Sequence, residues 1–256
     1  MADTDYAQGD YRVVAERLRP ATLDLVAWCD PQSGSIVLDS ASGTGNVALA
    51  CAGRGCRAVA LDLEIALLRT LPPPAAGGVP TVVGDVMALP LASDAVDHVL
   101  STFGMVYAPD PARVMSEATR VCRPGGFVAL SSWAEDGFQP RARALLAQTE
   151  AAAGEYVPEI PPAWTSIESL RRTLSPAGDV EVRRGRLENR FPSAAAWWEL
   201  ASTSAPPVVA ARSRLTRSAY VELGERLQAL VDECSEHGDG ELILGEEYLL
   251  ARVRVR

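Results

Sequence analysis

The chain has 256 residues, 48% of them hydrophobic and 22% charged, and its formal net charge is −9 at pH 7. A chain of this length and composition can bury a sizeable core without a disulfide or a structural metal. The acidic balance argues against a nucleic-acid partner, because such proteins need a positive field to displace counterions from phosphates.

Five cysteines are present, and none of them forms a C-x-x-C pair. An odd number without such a pair favours neither a disulfide framework nor a zinc site, so we expect no metal and a reducing, cytoplasmic setting. The first residues contain no basic leader followed by an apolar segment, and no apolar run approaches the ~18 residues of a membrane span. We therefore expect neither a targeting signal nor membrane insertion.

All the cations of the sequence other than its two histidines are arginines. Two clusters stand out, one at Arg183, Arg184 and Arg186 and one at Arg252, Arg254 and Arg256. Their spacing is typical of charges on a solvated face, and we interpret them in that way.

The first half alternates short apolar strands with helices. In chain order the sequence predicts a helix over 10–29, a strand over 36–38, a helix over 47–52, a strand over 58–61, a short helix stopped by the prolines at 72–74, a strand over 81–83, a strand over 96–101, a helix over 111–122 and a strand over 127–132. Such strands, buried on both faces, form a parallel, doubly wound sheet. Ligands bind at the carboxyl ends of these strands, where Asp39, Asp62, Asp85 and Ser101 fall.

The second half has a different pattern. It predicts a helix that opens with a capping box over 165–168 and closes at Gly178, a strand over 180–191, helices near 193–202 and 216–236, and a strand over 247–255. Five parallel strands leave an edge of unpaired backbone groups after the fifth, and the two late strands can cover it. We expect the last strand to run antiparallel beside 180–191.

The predicted fold class is therefore α/β, a Rossmann-like, doubly wound and mostly parallel seven-stranded sheet with an antiparallel last strand and a helical cap. We expect a single domain over 1–256, with cap segments near 1–29, 139–165 and 193–236 lying over the ligand edge of the sheet.

The stretch from Val37 to Asn46, VLDSASGTGN, runs from a strand through a turn of small residues into a helix. Gly43 and Gly45 allow a tight turn and a close approach of a ligand to the backbone. The helix beyond the turn presents free N–H groups that can hold a carboxylate or a phosphate. Taken alone, the turn also satisfies the dinucleotide pattern G-x-G-x-x-A, with Asp62 as the acidic ribose partner, so an NAD(P)-dependent oxidoreductase remains an alternative.

Four segments in order resemble the class I S-adenosylmethionine (SAM)-dependent methyltransferases. They are Asp39-x-Ala41-x-Gly43-Thr44-Gly45, the strand Val59–Leu63, Gly84-Asp85-Val86-x-x-Leu89-Pro90, and Glu117-x-x-Arg120-Val121-x-x-Pro124-Gly125-Gly126. The resemblance covers 9–138 closely and the remainder more loosely, and it is strongest to small-molecule enzymes of the quinone-biosynthesis-like branch. Two features depart from the family pattern: Ala41-Ser42 replaces the commoner Gly-Cys pair, and the helix after Asp62 is short.

The resemblance implies SAM as the cofactor and S-adenosylhomocysteine as the product. It assigns the methionine part of SAM to Asp39 and the backbone of the glycine turn, and the ribose hydroxyls to Asp62. It places Leu63 and Val86 beside the adenine ring, with Asp85 accepting from the adenine amino group. It also places Tyr11 near the cofactor and the backbone around Ser101 and Phe103 near the sulfonium. The cofactor residues predicted in this way are Tyr11, Asp39, Ser40, Ala41, Gly43, Gly45, Asn46, Asp62, Leu63, Asp85, Val86, Ser101 and Phe103.

Each acidic residue also has a structural interpretation. Asp39 and Asp62 could simply cap the helices that follow them, and we expect Asp97 to be structural. His98 lies within a predicted strand and is expected to pack, whereas His237 lies in a polar segment and is expected at the surface. We therefore name no catalytic base; methyl transfer needs one only when the acceptor loses a proton early.

Aromatic residues after the fifth strand and in the second half can build an acceptor pocket. The predicted substrate residues are Tyr107, Trp133, Phe138, Trp164 and Trp197, and ordinary core packing is the alternative for each of them. They favour a small, apolar or aromatic acceptor methylated at oxygen, nitrogen or carbon. A SAM-binding protein of this fold with cyclase-type chemistry or a pure binding role remains a further alternative.

Overall fold

The computed structural model describes residues 8–154, 160–238 and 240–256. Its helices are α1 (Tyr11–Cys29), α2 (Asn46–Gly53), α3 (Ile65–Leu68), α4 (Pro111–Val121), α5 (Phe138–Ala152), α6 (Ile167–Leu174), α7 (Ala194–Ser204), α8 (Pro206–Arg214) and α9 (Arg217–Cys234). Its strands are β1 (Ile36–Ser40), β2 (Arg57–Asp62), β3 (Thr81–Val83), β4 (Val96–Thr102), β5 (Cys122–Trp133), β6 (Gly178–Phe191), β7 (Ser235–Gly238) and β8 (Glu241–Val255).

The strands form one sheet in the order β3-β2-β1-β4-β5-β8-β6, with β7 paired to β8. The pairs β2–β3, β1–β2, β1–β4 and β4–β5 are all parallel. The buried middle of this sheet consists of the apolar runs that the sequence singled out, such as Val37-Leu38 and Val99-Leu100. The doubly wound, mostly parallel sheet is therefore confirmed.

The C-terminal strands are antiparallel, as expected. β8 lies between β5 and β6, so the edge left by the fifth strand is covered by later strands. The expected seven strands are one too few, because the described residues also include β7, which forms an antiparallel hairpin with β8.

β8 starts at Glu241, six residues earlier than predicted, because Gly245 and Glu246 interrupt the apolar pattern without ending the strand. A Cβ atom on Gly245 would lie 2.5 Å from an Nη atom of Arg186. The glycine thus makes room for a guanidinium on the neighbouring strand, which is one of the uses of glycine within a strand.

Two helical predictions need correction. No helix was predicted between 202 and 216, yet α8 lies there. Pro206 and Pro207 are in its first turn, where a backbone N–H has no partner within the helix and can be absent without loss. The capping box of α6 is formed by Ser166 and Ser169 rather than by Thr165 and Glu168. Thr165 instead ends the preceding 3-10 turn at Pro162–Trp164.

The expected solvated face is confirmed for four of the six clustered arginines, which are exposed: Arg184, Arg186, Arg254 and Arg256. It is wrong for Arg252 and incomplete for Arg183, which are partly buried. The side chain of Arg252 is only 20% exposed. It donates hydrogen bonds to both carboxylate oxygens of Glu181 at 2.9 Å and to the carbonyl of Trp28 at 2.7 Å. Arg183 and Arg252 lie 4.7 and 4.6 Å from the centroid of the Trp28 ring. Such cation–π contacts, in addition to the ion pairs, tie α1 to β6 and β8.

The chain divides into two compact units. One comprises Met1–Leu18, Trp133–Glu159 and Arg186–Tyr248, and the other comprises Arg19–Ser132, Ile160–Gly185 and Leu249–Arg256. Helices α5, α7, α8 and α9 belong to the first unit and pack there around two apolar clusters. The second unit contains β1 to β4 with α2, α3 and α4. The expected covering of the ligand edge by the cap segments stays a prediction.

The capping box of α6 provides a matched pair of variants. Ser166→Ala removes the hydroxyl that accepts from the Ser169 N–H at 3.1 Å, and it should lower the free energy of unfolding by about 1 kcal/mol. Thr165→Ala should have a smaller effect, because that exposed hydroxyl bonds only the Pro162 carbonyl. Urea denaturation of both variants measures the difference, and equal losses would contradict the revised assignment.

Candidate cofactor-binding site

The turn between β1 and α2 is built from left-handed backbone. Gly43 and Gly45 have φ values of 55° and 82°, which glycine adopts without strain. Ala41 has a φ of 54°, a conformation that is unfavourable for a residue with a Cβ atom. The N–H of Ser42 donates to the Leu61 carbonyl at 2.9 Å, and that bond fixes the turn against β2.

Asp39 lies one residue before the end of β1 and is fully buried. Its Oδ2 atom accepts from the N–H of Ala48 at 2.9 Å, within the first turn of α2. Burial raises the pKa of Asp39 to about 7, although the bond from Ala48 acts in the opposite direction. The structural interpretation of Asp39 thus holds, because the carboxyl ties the start of α2 to the sheet.

Asp62 ends β2 and contacts the glycine turn directly. Its Oδ2 accepts from the Gly43 N–H at 2.7 Å, and its Oδ1 accepts from the Glu64 N–H at 2.8 Å. The N-cap of α3 is Glu64, whose side chain accepts from the Ala66 N–H, so Asp62 does not cap that helix. Burial raises the pKa of Asp62. A carboxylate has about four acceptor positions, and the N–H groups of Gly43 and Glu64 use two of them.

The segment after β3 is held by the residues of the fourth motif. Asp85 Oδ1 accepts from the Met87 N–H at 2.8 Å and shapes the turn. Glu117 accepts from the Leu89 N–H at 2.9 Å, while Arg120 donates to the Leu89 carbonyl at 3.0 Å. Arg120 also bonds Glu117, and this hydrogen bond lowers the pKa of Glu117. Glu117 and Arg120 of the fourth motif thus hold Leu89 of the third motif at both its N–H and its carbonyl, and we call this pair the Leu89 clamp.

The loop after β4 packs tightly against the glycine turn. Phe103 has a φ of 54°, and its N–H donates to Ser131 Oγ at 3.0 Å. The Oγ atom of Ser101 accepts from the Met105 N–H at 3.0 Å. A Cβ atom on Gly104 would lie 2.3 Å from the carbonyl oxygen of Ala41. These contacts bring the ends of β1 and β4 together.

The parallel strands place most of the predicted cofactor residues at one edge. These residues lie at or just beyond the carboxyl ends of four strands within one unit. The predicted residues from Asp39 to Asn46 belong to β1, the turn after it and the start of α2, Asp62 and Leu63 to the end of β2, Asp85 and Val86 to the segment after β3, and Ser101 and Phe103 to the end of β4. Leu63, Ile65 and Val83 are exposed there, although they are large and apolar. The sequence analysis did not single out Ile65 and Val83. The feature that could have drawn attention to them is a large apolar side chain at or just beyond a strand end.

Tyr11 and three of the predicted substrate aromatics belong to the other unit. Tyr11 begins α1, Trp133 ends β5 and is buried, and Phe138 meets Trp197 edge to face with ring centroids 5.6 Å apart. Tyr107 ends a 3-10 turn at Met105–Tyr107, and Trp164 is fully buried in the same unit as the glycine turn. A substrate role for these residues stays a prediction.

The structural interpretations of Asp97 and His98 are confirmed. Asp97 accepts from the Ile36 N–H at 2.7 Å and pairs with Arg123. His98 Nδ1 accepts from the Phe127 N–H at 3.2 Å, and the two rings stack. His237 is exposed as expected, although it belongs to β7; its neighbour Asp239 lies outside the described residues.

Two buried carboxyls were missed altogether, Glu150 and Glu246. Glu150 on α5 is 0% exposed and pairs with Arg214. Glu246 on β8 is 5% exposed and bonds Gln139 and Asn189. Its signal was its position two residues from Leu244 and from Tyr248, on the buried face of the strand.

A glycine turn, acidic residues at successive strand ends and a parallel sheet define an α/β protein that binds a nucleoside cofactor. A family model described as a methyltransferase domain matches residues 38–130. The uncharacterized protein Rv1405c of Mycobacterium tuberculosis is 31% identical over 260 residues, covering 98% of this chain and 93% of that protein. The demethylmenaquinone methyltransferase of Thermobifida fusca is 31% identical over 170 residues, which are 60% of this chain and 72% of the relative.

Solved structures agree on the fold. A proposed methyltransferase of Bacillus halodurans superposes with a TM-score of 0.62 at 21% identity, covering 91% of this chain and 97% of that one. The chain belongs to the class I SAM-dependent methyltransferases, and its cofactor is SAM. This membership decides against the NAD(P)-dependent oxidoreductase alternative.

The contact between Gly104 and Ala41 can be tested by adding one methyl group. Gly104→Ala forces backbone to move, and it should lower the free energy of unfolding by roughly 1–3 kcal/mol. Gly53→Ala is the control, because nothing lies within 4 Å of the added Cβ atom there. Urea denaturation of the two variants gives the comparison, and a neutral Gly104→Ala would contradict the close approach.

The raised pKa of Asp39 has a consequence for stability. Because the folded chain holds this proton more tightly than the unfolded chain, the stabilisation is present at low pH and is lost as the pH rises from about 4 through about 7. At about 1.4 kcal/mol for each pKa unit, the loss is at most about 4 kcal/mol. Asp39→Asn should flatten this part of the pH profile of unfolding free energy, and an unchanged profile would show that Asp39 is ionised in the folded protein throughout.

Proposed function

We propose that this protein transfers the methyl group of SAM to a small apolar or aromatic acceptor, at oxygen, nitrogen or carbon. The observation that carries the proposal is the carboxyl of Asp62 at the end of β2. Two backbone N–H groups hold it in place, and its two remaining acceptor positions suit the two hydroxyls of a ribose. The family membership supports the same assignment.

The other parts of the cofactor follow from the order of the strand ends. Asp85 would accept from the adenine amino group, and Val86 would lie beside the adenine ring. The methionine part would be held by Asp39, Ser40, Ala41, Gly43, Gly45 and Asn46. The exposed apolar side chains of Leu63 and Val83 are suited to the faces of the adenine ring. Backbone near Ser101 and Phe103 would line the sulfonium, with Tyr11 as a covering residue.

SAM would supply an electrophilic methyl carbon that the acceptor attacks in line with the breaking C–S bond, and the leaving group would be a neutral thioether. The protein therefore needs to stabilise no developing anion on the leaving sulfur, and holding the two reactants in line can supply roughly 7–11 kcal/mol. The glycine turn can hold the cofactor in a fixed position, because hydrogen bonds that involve Asp39, Asp62 and Ser42 restrict its backbone.

The acceptor class rests on the relatives and on the aromatic residues. The relatives named demethylmenaquinone methyltransferases support an acceptor with a flat, quinone-like ring system. Tyr107, Trp133, Phe138, Trp164 and Trp197 are the aromatic residues we assign to such a pocket. The net charge of −9 supports a small molecule over a nucleic acid.

The proposed setting is the cytoplasm. All five cysteines are free thiols and four of them are buried, which is compatible with a reducing compartment. No helix among the described residues combines the length and the apolar character needed to cross a membrane.

Thermal unfolding with added ligands tests the cofactor. S-adenosylhomocysteine should stabilise the protein by roughly 2.7 kcal/mol at a hundredfold excess over its Kd, whereas NADH should not. A shift with NADH and none with millimolar S-adenosylhomocysteine would overturn the proposal.

Asp62→Ala tests the residue that carries the proposal. Losing charge-assisted bonds to the ribose, each worth about 1.5–3 kcal/mol, should raise the Kd of S-adenosylhomocysteine at least about tenfold in calorimetry. Asp110→Ala is the control, because it removes only the N-cap of α4 and should leave that Kd unchanged. Unchanged affinity in a folded Asp62→Ala variant would restrict Asp62 to holding the glycine turn.

A further inference from the structure

The glycine turn between β1 and α2 is held by two carboxyls that have no positively charged partner. Asp39 accepts from the Ala48 N–H, and Asp62 accepts from the Gly43 N–H, so both are bonded by neutral backbone groups. Among the residues that the structure describes, no arginine or histidine pairs with either carboxyl. The two carboxyls and the turn belong to one compact unit.

The groups that face Asp39 make its charged form still less favourable. Asp62 faces it from β2 and the thiol of Cys51 faces it from α2, while Asp62 is itself faced by Glu64. Each of these groups becomes an anion when it ionises. Asp39 is only 1% exposed, so water does not supply the missing counter-charge. Burial therefore raises the pKa of Asp39 to about 7, and the charge of Asp62 adds to the rise.

Holding the start of α2 does not by itself explain an aspartate at position 39. An asparagine would accept the same Ala48 N–H bond through its amide oxygen and would bring no ionisable group into the core. The carboxyl differs from the amide in one property, which is that it can release a proton and become an anion. An acidic residue is useful here if a positive charge comes close to the turn during the protein's activity.

The cofactor and its product differ in the charge that they bring to this turn. In both molecules the ammonium and the carboxylate of the methionine part cancel, and SAM carries a sulfonium in addition. S-adenosylhomocysteine has a neutral thioether in its place and therefore no net charge. A nearby positive charge favours the charged form of a carboxyl, so SAM stabilises an ionised Asp39 more than the product does.

We propose that Asp39 holds a proton in the free protein and releases it when SAM binds, so that the turn favours the cationic methyl donor over its neutral product. The balance is one proton released to solvent for each SAM bound and none for S-adenosylhomocysteine. Once the sulfur is neutral, Asp39 takes up a proton from solvent again. This inference rests on the proposed function, which assigns the glycine turn to the methionine part of SAM, and it adds the charge selectivity of that site.

Isothermal titration calorimetry of the full chain, without any acceptor, tests the inference in the wild type. Lowering the pH from about 8 to about 6 should weaken SAM binding about tenfold, because a group with a pKa of about 7 must then lose its proton for every SAM bound. The affinity for S-adenosylhomocysteine should change by less than about twofold. Titrations at the lower pH in phosphate and in imidazole, whose ionisation enthalpies differ, should show close to one proton released per SAM and none per S-adenosylhomocysteine.

Asp39→Asn assigns the effect to one residue. This variant should release no proton and should bind SAM with the same affinity at both pH values, and more weakly than the wild type does at the higher pH. A role confined to holding the Ala48 N–H would leave the difference between the two ligands as it is in the wild type. Asp97→Asn is the matched control, because Asp97 lies near the amino end of β4, accepts from the Ile36 N–H and pairs with Arg123. It should retain the proton release.

An equal pH dependence for the two ligands, or no proton released with SAM, would overturn the inference while cofactor binding remains. Proton release that persists in Asp39→Asn would overturn it as well. Circular dichroism checks that each variant is folded, and the proton count of the wild type decides the matter if Asp39→Asn is not. Failure of the proposed function, which would remove the inference with it, is seen separately as absence of binding of both ligands at every pH.

Discussion

The structure depends on how the turn between β1 and α2 is held. Its backbone enters the left-handed region at Ala41, Gly43 and Gly45, so it needs fixing from outside the turn. Asp62 supplies one bond, to the Gly43 N–H, and Asp39 supplies another, to the Ala48 N–H. Both carboxyls are desolvated for this purpose, and both have raised pKa values as a result. The conformation of the glycine turn is thus set by bonds from the protein's own side chains.

A second clamp holds the neighbouring segment. Glu117 and Arg120 are 28 and 31 residues away in sequence from Leu89, yet Glu117 accepts from its N–H and Arg120 donates to its carbonyl. They add to the bonds that form the turn itself, from the Met87 N–H to the Asp85 side chain and from the Ala88 N–H to the Asp85 carbonyl. This arrangement explains in physical terms why two separate motifs occur together: one supplies the turn and the other fixes it.

The first half of the fold was predictable, because β1, β2, β4 and β5 contain apolar runs that only a buried strand accounts for. The glycine turn and the strand-end aspartates were predictable for the same reason, since topology alone brings them to one edge. The second half was harder, because its signals are tertiary. In the sequence alone, Gly245 resembles the end of a strand, and only the structure shows that Arg186 occupies the space beside it. Thr165 and Ser166 are equally suitable N-cap residues by type, and only the 3-10 turn that ends at Thr165 decides between them.

Burial of single polar side chains was the least predictable property, and it separates the acidic residues into two kinds. Glu117 and Asp97 each bond an arginine and a backbone N–H, and their pKa values are lowered. Asp39, Asp62 and Glu246 are bonded by N–H groups of backbone or amides, and their pKa values are raised by burial. An arginine partner stabilises the charged form of a carboxylate, so Glu117 and Asp97 can hold backbone N–H groups while they remain ionised. A deeply buried carboxyl that is bonded by neutral N–H groups keeps most of its desolvation cost, so its pKa stays raised, and at Glu246 the charge of Arg17 offsets only part of that cost.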